Sequence, residues 1–101
     1  MKRKFNKIRD IILLVGSSDE PITTERLPHK IDGKQDDNEY QIYLMLDRGI
    51  IRQNQDITQL TWLGSELFDI LSGDGWDSSV EKYGLNTAWE LFTGHVMSNH
   101  G

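Results

Sequence analysis

Two junctions without linkers constrain this chain more than anything else in it. In Leu46-Asp47-Arg48-Gly49-Ile50-Ile51 a helical pattern runs straight into β-branched residues through one glycine, a residue that takes the positive φ closing a helix without a Cβ clash. In Leu60-Thr61-Trp62-Leu63-Gly64 a strand pattern runs straight into a helix, with Thr61 placed to cap the free amides of its first turn. Between them, Ile50-Ile51-Arg52-Gln53 and Ile57-Thr58-Gln59-Leu60-Thr61 are β-branched runs parted by the polar trio Asn54-Gln55-Asp56, the pattern of a hairpin. A helix running straight into a hairpin, and the hairpin straight into a second helix, together make a signature that neither junction gives alone.

The helix that feeds the hairpin opens near Asp36, whose carboxylate can cap amides while Glu39 reaches back as in a capping box. Its apolar side chains, through Tyr40, Ile42, Tyr43, Leu44, Met45 and Leu46, wrap most of the circumference. They leave a narrow polar strip near Asp37, Gln41 and Arg48, so burial on more than one side is expected. Upstream, Phe5, Ile8, Ile11, Ile12 and Val15 recur at helical spacing from Arg3 to Val15, and Gly16 is placed to end that helix. A turn at Ser17-Ser18-Asp19-Glu20-Pro21, an extended piece around Ile22, and a helical turn opened at Thr23 or Thr24 and stopped at Pro28 fill the gap.

Downstream, Leu63, Leu67, Ile70 and Leu71 share a face of the Thr61-capped helix, which ends near Gly73. Ser78 with Glu81, and Thr87 with Glu90, are capping signals for two further helices parted by Gly84. In the last helix Ala88, Trp89, Phe92 and Val96 form a stripe that must dock, on its own domain or on a second copy.

Helix, short strand, abbreviated helix, helix ending in glycine, hairpin, helix is the order of a winged helix, in which the hairpin is the wing. The expected class is α+β, mainly α: a winged helix-turn-helix with a two- or three-stranded hairpin wing and a C-terminal helical extension. Residues 1–75 form the core, and residues 76–101 an extension packed on that core or on a dimer mate.

The opening Met1-Lys2-Arg3-Lys4-Phe5-Asn6-Lys7-Ile8-Arg9 joins other segments in resembling a known family. These are Tyr40-Gln41-Ile42-Tyr43-Leu44-Met45 running into Gly49-Ile50-Ile51, Leu60-Thr61-Trp62-Leu63-Gly64, and the late Trp76. Together they resemble the domain-of-unknown-function family 2513, short proteins of bacteria, phages and prophages. The resemblance spans about residues 1–85, with Leu60–Gly64 its most telling part. It departs from the family pattern at Gln41, where histidine is expected, and at Arg48, where alanine is expected. It implies a fold and a phage or prophage setting, and assigns no functional residue, because fold does not carry function.

Composition narrows the class of activity. With 101 residues and no cysteine the chain fits one domain, has neither a disulfide framework nor a thiolate metal site, and suits a reducing cytoplasm. The apolar run Ile11-Ile12-Leu13-Leu14-Val15 is too short for a signal sequence, and no stretch approaches the roughly 20 residues of a membrane span. No Gly-x-Ser-x-Gly elbow or phosphate-cradling loop occurs, and the histidines stand at 29, 95 and 100, so no nucleophile and base can be paired. His95 and His100 are five apart and point to different helix faces, and Asp36, Asp37 and Glu39 lack the glycine turn of a calcium loop. A non-catalytic binding protein without cofactor or metal is expected.

Charge decides between the two remaining classes of partner. The first nine residues carry +5 and the total is −5, so the remaining 92 carry −10. A winged helix that reads DNA places the helix before the wing in the major groove, where cations and amides are normally found. Here that helix opens on Asp36-Asp37-Asn38-Glu39, and the hairpin tip Asn54-Gln55-Asp56 carries no cation. A protein partner is therefore expected, with Asp36, Asp37, Glu39, Tyr40 and Tyr43 as contact residues. The Trp89, Phe92 and Val96 stripe is expected to serve docking or homodimerisation. The alternative is a homodimeric DNA-binding regulator, in which Lys2, Arg3, Lys4, Lys7 and Arg52 would contact phosphates.

Overall fold

The computed structural model describes residues 4–100, and the side chains of all of these except 74, 93 and 95–100. The chain runs α1 (Phe5–Ser17), β1 (Ile22–Thr23), one 3₁₀ turn (Leu27–Lys30), α2 (Gln35–Asp47), β2 (Ile51–Asn54), β3 (Ile57–Leu60), α3 (Trp62–Leu71), α4 (Asp74–Tyr83) and α5 (Leu85–His100). It is α+β and mainly helical, and among the described residues the strands form one antiparallel sheet in the order β1-β3-β2.

The helix that enters the hairpin ends as its glycine requires. Gly49 has φ 71°, its N–H donates to the Leu46 carbonyl at 3.2 Å, and the Ile50 N–H reaches back to Met45 at 2.9 Å. These are the two bonds of a Schellman closure. β2 then pairs with β3 from Ile51↔Leu60 to Asn54↔Ile57. The turn thus shortens from the expected trio to Gln55-Asp56, with Gln55 at φ 56°. The extended piece at Ile22 becomes a third strand, paired Ile22↔Thr58.

At the far end of the hairpin Thr61 caps α3, accepting the Gly64 N–H at 3.1 Å. The Thr61 N–H donates to the Ile50 carbonyl at 3.1 Å, and its hydroxyl, which donates to the Gly49 carbonyl, lies 3.0 Å from that of Ile50. A Cβ on Gly64 would run into that same Ile50 carbonyl, so glycine lets α3 pack against the closure of α2. The two junctions of the sequence are thus one joint in space.

Several boundaries fall elsewhere than expected. α2 starts at Gln35 with Lys34 as its cap and no side-chain capping bond, so the Asp36–Glu39 capping box does not form. Pro28 stands in the first turn of a short helix that begins at Leu27 rather than stopping one, which suits a residue whose missing N–H has no partner there. Gly16 lies inside α1, where the ring of Phe68 packs against it in the space a side chain would fill. α4 begins at Asp74, so Ser78 is internal, and α5 begins at Leu85, directly after Gly84 at φ 84°.

The core is continuous. Ile8, Ile11 and Ile12 of α1 join Ile22, Leu27, Ile42, Met45, Ile50, Ile51, Leu67 and Leu71, and the cluster extends without a break to Trp76, Ala88 and Trp89. Trp89 is 2% exposed and packs on Phe5 at 5.4 Å between ring centroids, and edge-on to Trp76 at 6.0 Å. Phe92 closes the aromatic group, 5.7 Å from Trp76 and 5.8 Å from Trp89. Among the described residues no helix is long and apolar enough to cross a membrane.

Candidate functional site

α2 has two unlike faces, and their assignment reverses the simplest reading of the sequence. The polar strip at Asp37 and Gln41 points inward, whereas Tyr43 is 62% exposed. Polar residues are buried there because α1 brings donors that need acceptors. The Lys4 backbone N–H donates to Gln41 Oε1 at 2.9 Å, and Lys4 Nζ donates to Asp37 Oδ2 at 2.9 Å. Gln41 Nε2 in turn donates to Asp37 Oδ1 at 3.2 Å, and Lys7 Nζ stands 3.9 Å from Oδ2.

Asn38, fully buried, extends the network to the loop before α2. Its Nδ2 donates to the carbonyls of Pro28 at 2.9 Å and Ile31 at 3.0 Å, while its Oδ1 accepts from Lys7 Nζ at 2.6 Å. Lys7 Nζ also donates to the Asp32 carbonyl. The side chains of Lys4, Lys7, Asp37, Asn38 and Gln41 thus lock the N-terminal half of α2 to α1 and to the loop after the 3₁₀ turn. The hydrogen bond from Lys4 holds the Asp37 carboxyl below its ordinary pKa. Burial opposes this, and Gln41 and the charges of Lys4 and Lys7 add to it.

The expected site residues therefore divide. Asp37 is interior and serves the fold, so it offers no surface to a partner. Asp36 and Glu39 are exposed, Tyr43 is exposed, and Tyr40 is half-buried. Asp47 is exposed one turn beyond Tyr43, and no lysine or arginine occurs from Gln35 to Asp47. Of the cations expected at phosphate, Lys4 and Lys7 are engaged with Asp37 and Asn38, and Arg52 is exposed on β2 with its Nε 3.3 Å from Gln59 Oε1. Lys2 and Arg3 lie outside the described residues, and the side chain of Val96 lies outside the described side chains. Trp89 and Phe92 are packed within the chain's own aromatic group.

Beside the outward face of α2 lies a groove of about 340 Å3, between that helix and the 3₁₀ turn. Pro28, Ile42 and Leu46 make its apolar floor, Tyr43 stands at its side, and Glu25, His29, Gln35 and Glu39 line its rim. Gln35 Nε2 donates to Glu39 Oε1 at 3.1 Å and so orients that carboxylate. Sequence reasoning passes over Gln35, the first residue of α2, and Glu25, which meets α2's outer face only through the packing of the 3₁₀ turn. No periodicity signals that contact. A second, apolar groove of about 250 Å3 runs between α3, α4 and α5, with Ile70 and Leu91 exposed along it and Trp76 beneath.

No family model, curated protein or solved structure matches the chain.

Proposed function

We propose that this chain is a non-catalytic winged-helix interaction module of phage or prophage type that binds a partner protein in the cytoplasm. It would serve as an accessory factor or inhibitor of a host protein that handles nucleic acid. The order α1, β1, 3₁₀ turn, α2, β2, β3, α3, with the hairpin flanked by α2 and α3, supports the winged-helix reading. The phage or prophage setting rests on the resemblance carried by Leu60–Gly64 and its companion segments.

One observation carries the choice of partner. The exposed face of the helix before the hairpin presents Asp36, Glu39, Tyr43 and Asp47, and no cation. Carboxylates set against DNA phosphate raise the energy of the complex, whereas the same charges beside an exposed tyrosine complement a basic protein surface. Lys4 and Lys7, which the start of α1 brings against that helix, are already bound to its inner face, and the exposed Lys34 and Arg48 stand at its two ends.

The test pairs two measurements on the full chain. A pull-down from host lysate is run with wild type and with Glu39→Lys/Tyr43→Ala. Recovery of one protein by wild type and its loss with the variant is the expected result. Recovery of the same proteins by both overturns the assignment to this face. A low-salt gel shift with duplex DNA is the second measurement, and no shift at micromolar protein is expected. A salt-steep shift that disappears on neutralising Lys2, Arg3 and Arg52, with Lys4 and Lys7 of the Asp37–Asn38 network left in place, overturns the reading in favour of a DNA-binding regulator.

A further inference from the structure

We propose that the groove between the 3₁₀ turn Leu27–Lys30 and α2 seats an arginine side chain of the partner protein. This rests on the protein-binding reading and names the chemistry of the contact.

The groove's volume, about 340 Å3, is at the small end of the roughly 300–1,000 Å3 of small-molecule sites, which suits one long side chain with a little of its backbone. Its floor is apolar, from buried Pro28 and Ile42 and half-buried Leu46. The rim carries carboxylates from two different elements: Glu25 ahead of the 3₁₀ turn and Glu39 on α2, both exposed. Among its described lining residues there is no lysine or arginine. An apolar floor under an acidic rim complements a side chain with an apolar stem and a cationic end.

Arginine fits this better than lysine for three reasons. Its guanidinium is planar and stacks on an aromatic face, and Tyr43 offers a ring with 62% of the residue exposed at the groove's side. It also binds a carboxylate through two parallel N–H donors, which rewards a carboxylate held in one orientation, as Gln35 holds Glu39 at 3.1 Å. Lastly, it is more weakly hydrated than an ammonium and loses less on entering a half-apolar site. Arginine on the partner is also what a protein with a nucleic-acid-binding surface presents to phosphate, so an acidic groove competes for the same group.

The experiment is a titration of the isotope-labelled full chain, followed by amide chemical shifts. The probe is the capped tripeptide acetyl-Leu-Arg-Leu-amide, with its citrulline and lysine analogues as controls. Saturable shifts confined to the surroundings of Glu25, His29, Glu39 and Tyr43 are expected, at millimolar affinity. The citrulline peptide, which lacks the charge, should bind at least about tenfold more weakly, and the lysine peptide should fall between. Glu39→Gln should weaken the arginine peptide several-fold without moving the thermal midpoint. No saturable shift by about 10 mM, equal binding of the citrulline peptide, or shifts centred elsewhere would each overturn the assignment. If the peptide fails while partner capture still depends on Glu39 and Tyr43, only the groove assignment falls. If capture is also indifferent to them, the reading beneath it falls as well.

Discussion

The hydroxyl of Thr61, at the start of α3, donates to the carbonyl of Gly49, the residue that closes α2. The same oxygen also lies 3.0 Å from the Ile50 carbonyl and accepts the Gly64 N–H at 3.1 Å. One side chain thus fastens the helix entering the hairpin to the helix leaving it, across the base of both strands.

Removing that hydroxyl should cost more than an ordinary cap. Thr61→Val keeps the shape but leaves the Gly64 amide and the Gly49 carbonyl short of this partner, and about 2 kcal/mol is expected from the lost cap and the lost donor together. Thr61→Ser should recover most of it. Urea unfolding of the three proteins measures this, and a Val variant equal to wild type contradicts the joint.

Gly64 tolerates no side chain for a reason unrelated to φ. Its Cβ would overlap the Ile50 carbonyl, which is backbone and can move only by shifting α3 or β2. Gly64→Ala should destabilise by about 1–3 kcal/mol or more, although alanine is the better helix former. A stabilised Ala variant in thermal unfolding would show that the close approach is absent.

Asp37 should make stability depend on pH. Because its folded pKa lies below the unfolded one, the contribution of its charge is complete above the ordinary aspartate value, about 3.9, and is lost as pH falls through the folded value. Urea midpoints of wild type and Asp37→Asn, compared across pH, should therefore differ most near neutrality and converge in acid. A gap that widens as pH falls has the wrong sign for this account.

Asn38 is the least replaceable polar residue of α2. Asn38→Ala leaves two carbonyls without this donor and Lys7 short of one of its acceptors, around a side chain that is itself fully buried, and about 2–3 kcal/mol is expected. Asn38→Asp should not rescue it, since a carboxylate cannot donate to Pro28 and Ile31. Hydrogen exchange should locate the loss at the loop before α2 and the first turns of α1 and α2.

Trp89 tests whether the C-terminal helices and the rest fold as one body. Because it packs on Phe5 and Trp76, Trp89→Ala should cost about 3–5 kcal/mol and move the entire transition. Circular dichroism and fluorescence of the remaining tryptophans should give one midpoint. Separate midpoints would mark residues 76–101 as an independent unit.

The parts of the fold legible in the sequence are those set by local chemistry. Gly49 after an apolar helical run, the β-branched pairs around Asn54-Gln55-Asp56, and Thr61 before Leu63 and Leu67 each act within a few residues, so their outcome follows from neighbours alone. The acidic, cation-free character of α2 is likewise a matter of composition. Where sequence and structure part, a distant partner intervenes. Gly16, placed to end α1, becomes a seat for Phe68, 52 positions later in the chain.

Only tertiary structure decided which side of α2 faces out. By pattern, Asp37 and Gln41 form the polar strip of a helix whose apolar residues, Tyr43 among them, wrap the rest; in the fold, Asp37 and Gln41 are buried and Tyr43 is exposed. The reason is that hydrophobic periodicity assigns faces on the assumption that polar groups find water. α1 brings an amide and two ammonium groups against this helix, and the buried polar side chains satisfy them more fully than apolar ones could. That exchange leaves Tyr43 with Glu39 beside a groove that no window of sequence contains, because Pro28 and Glu25 complete it from another element.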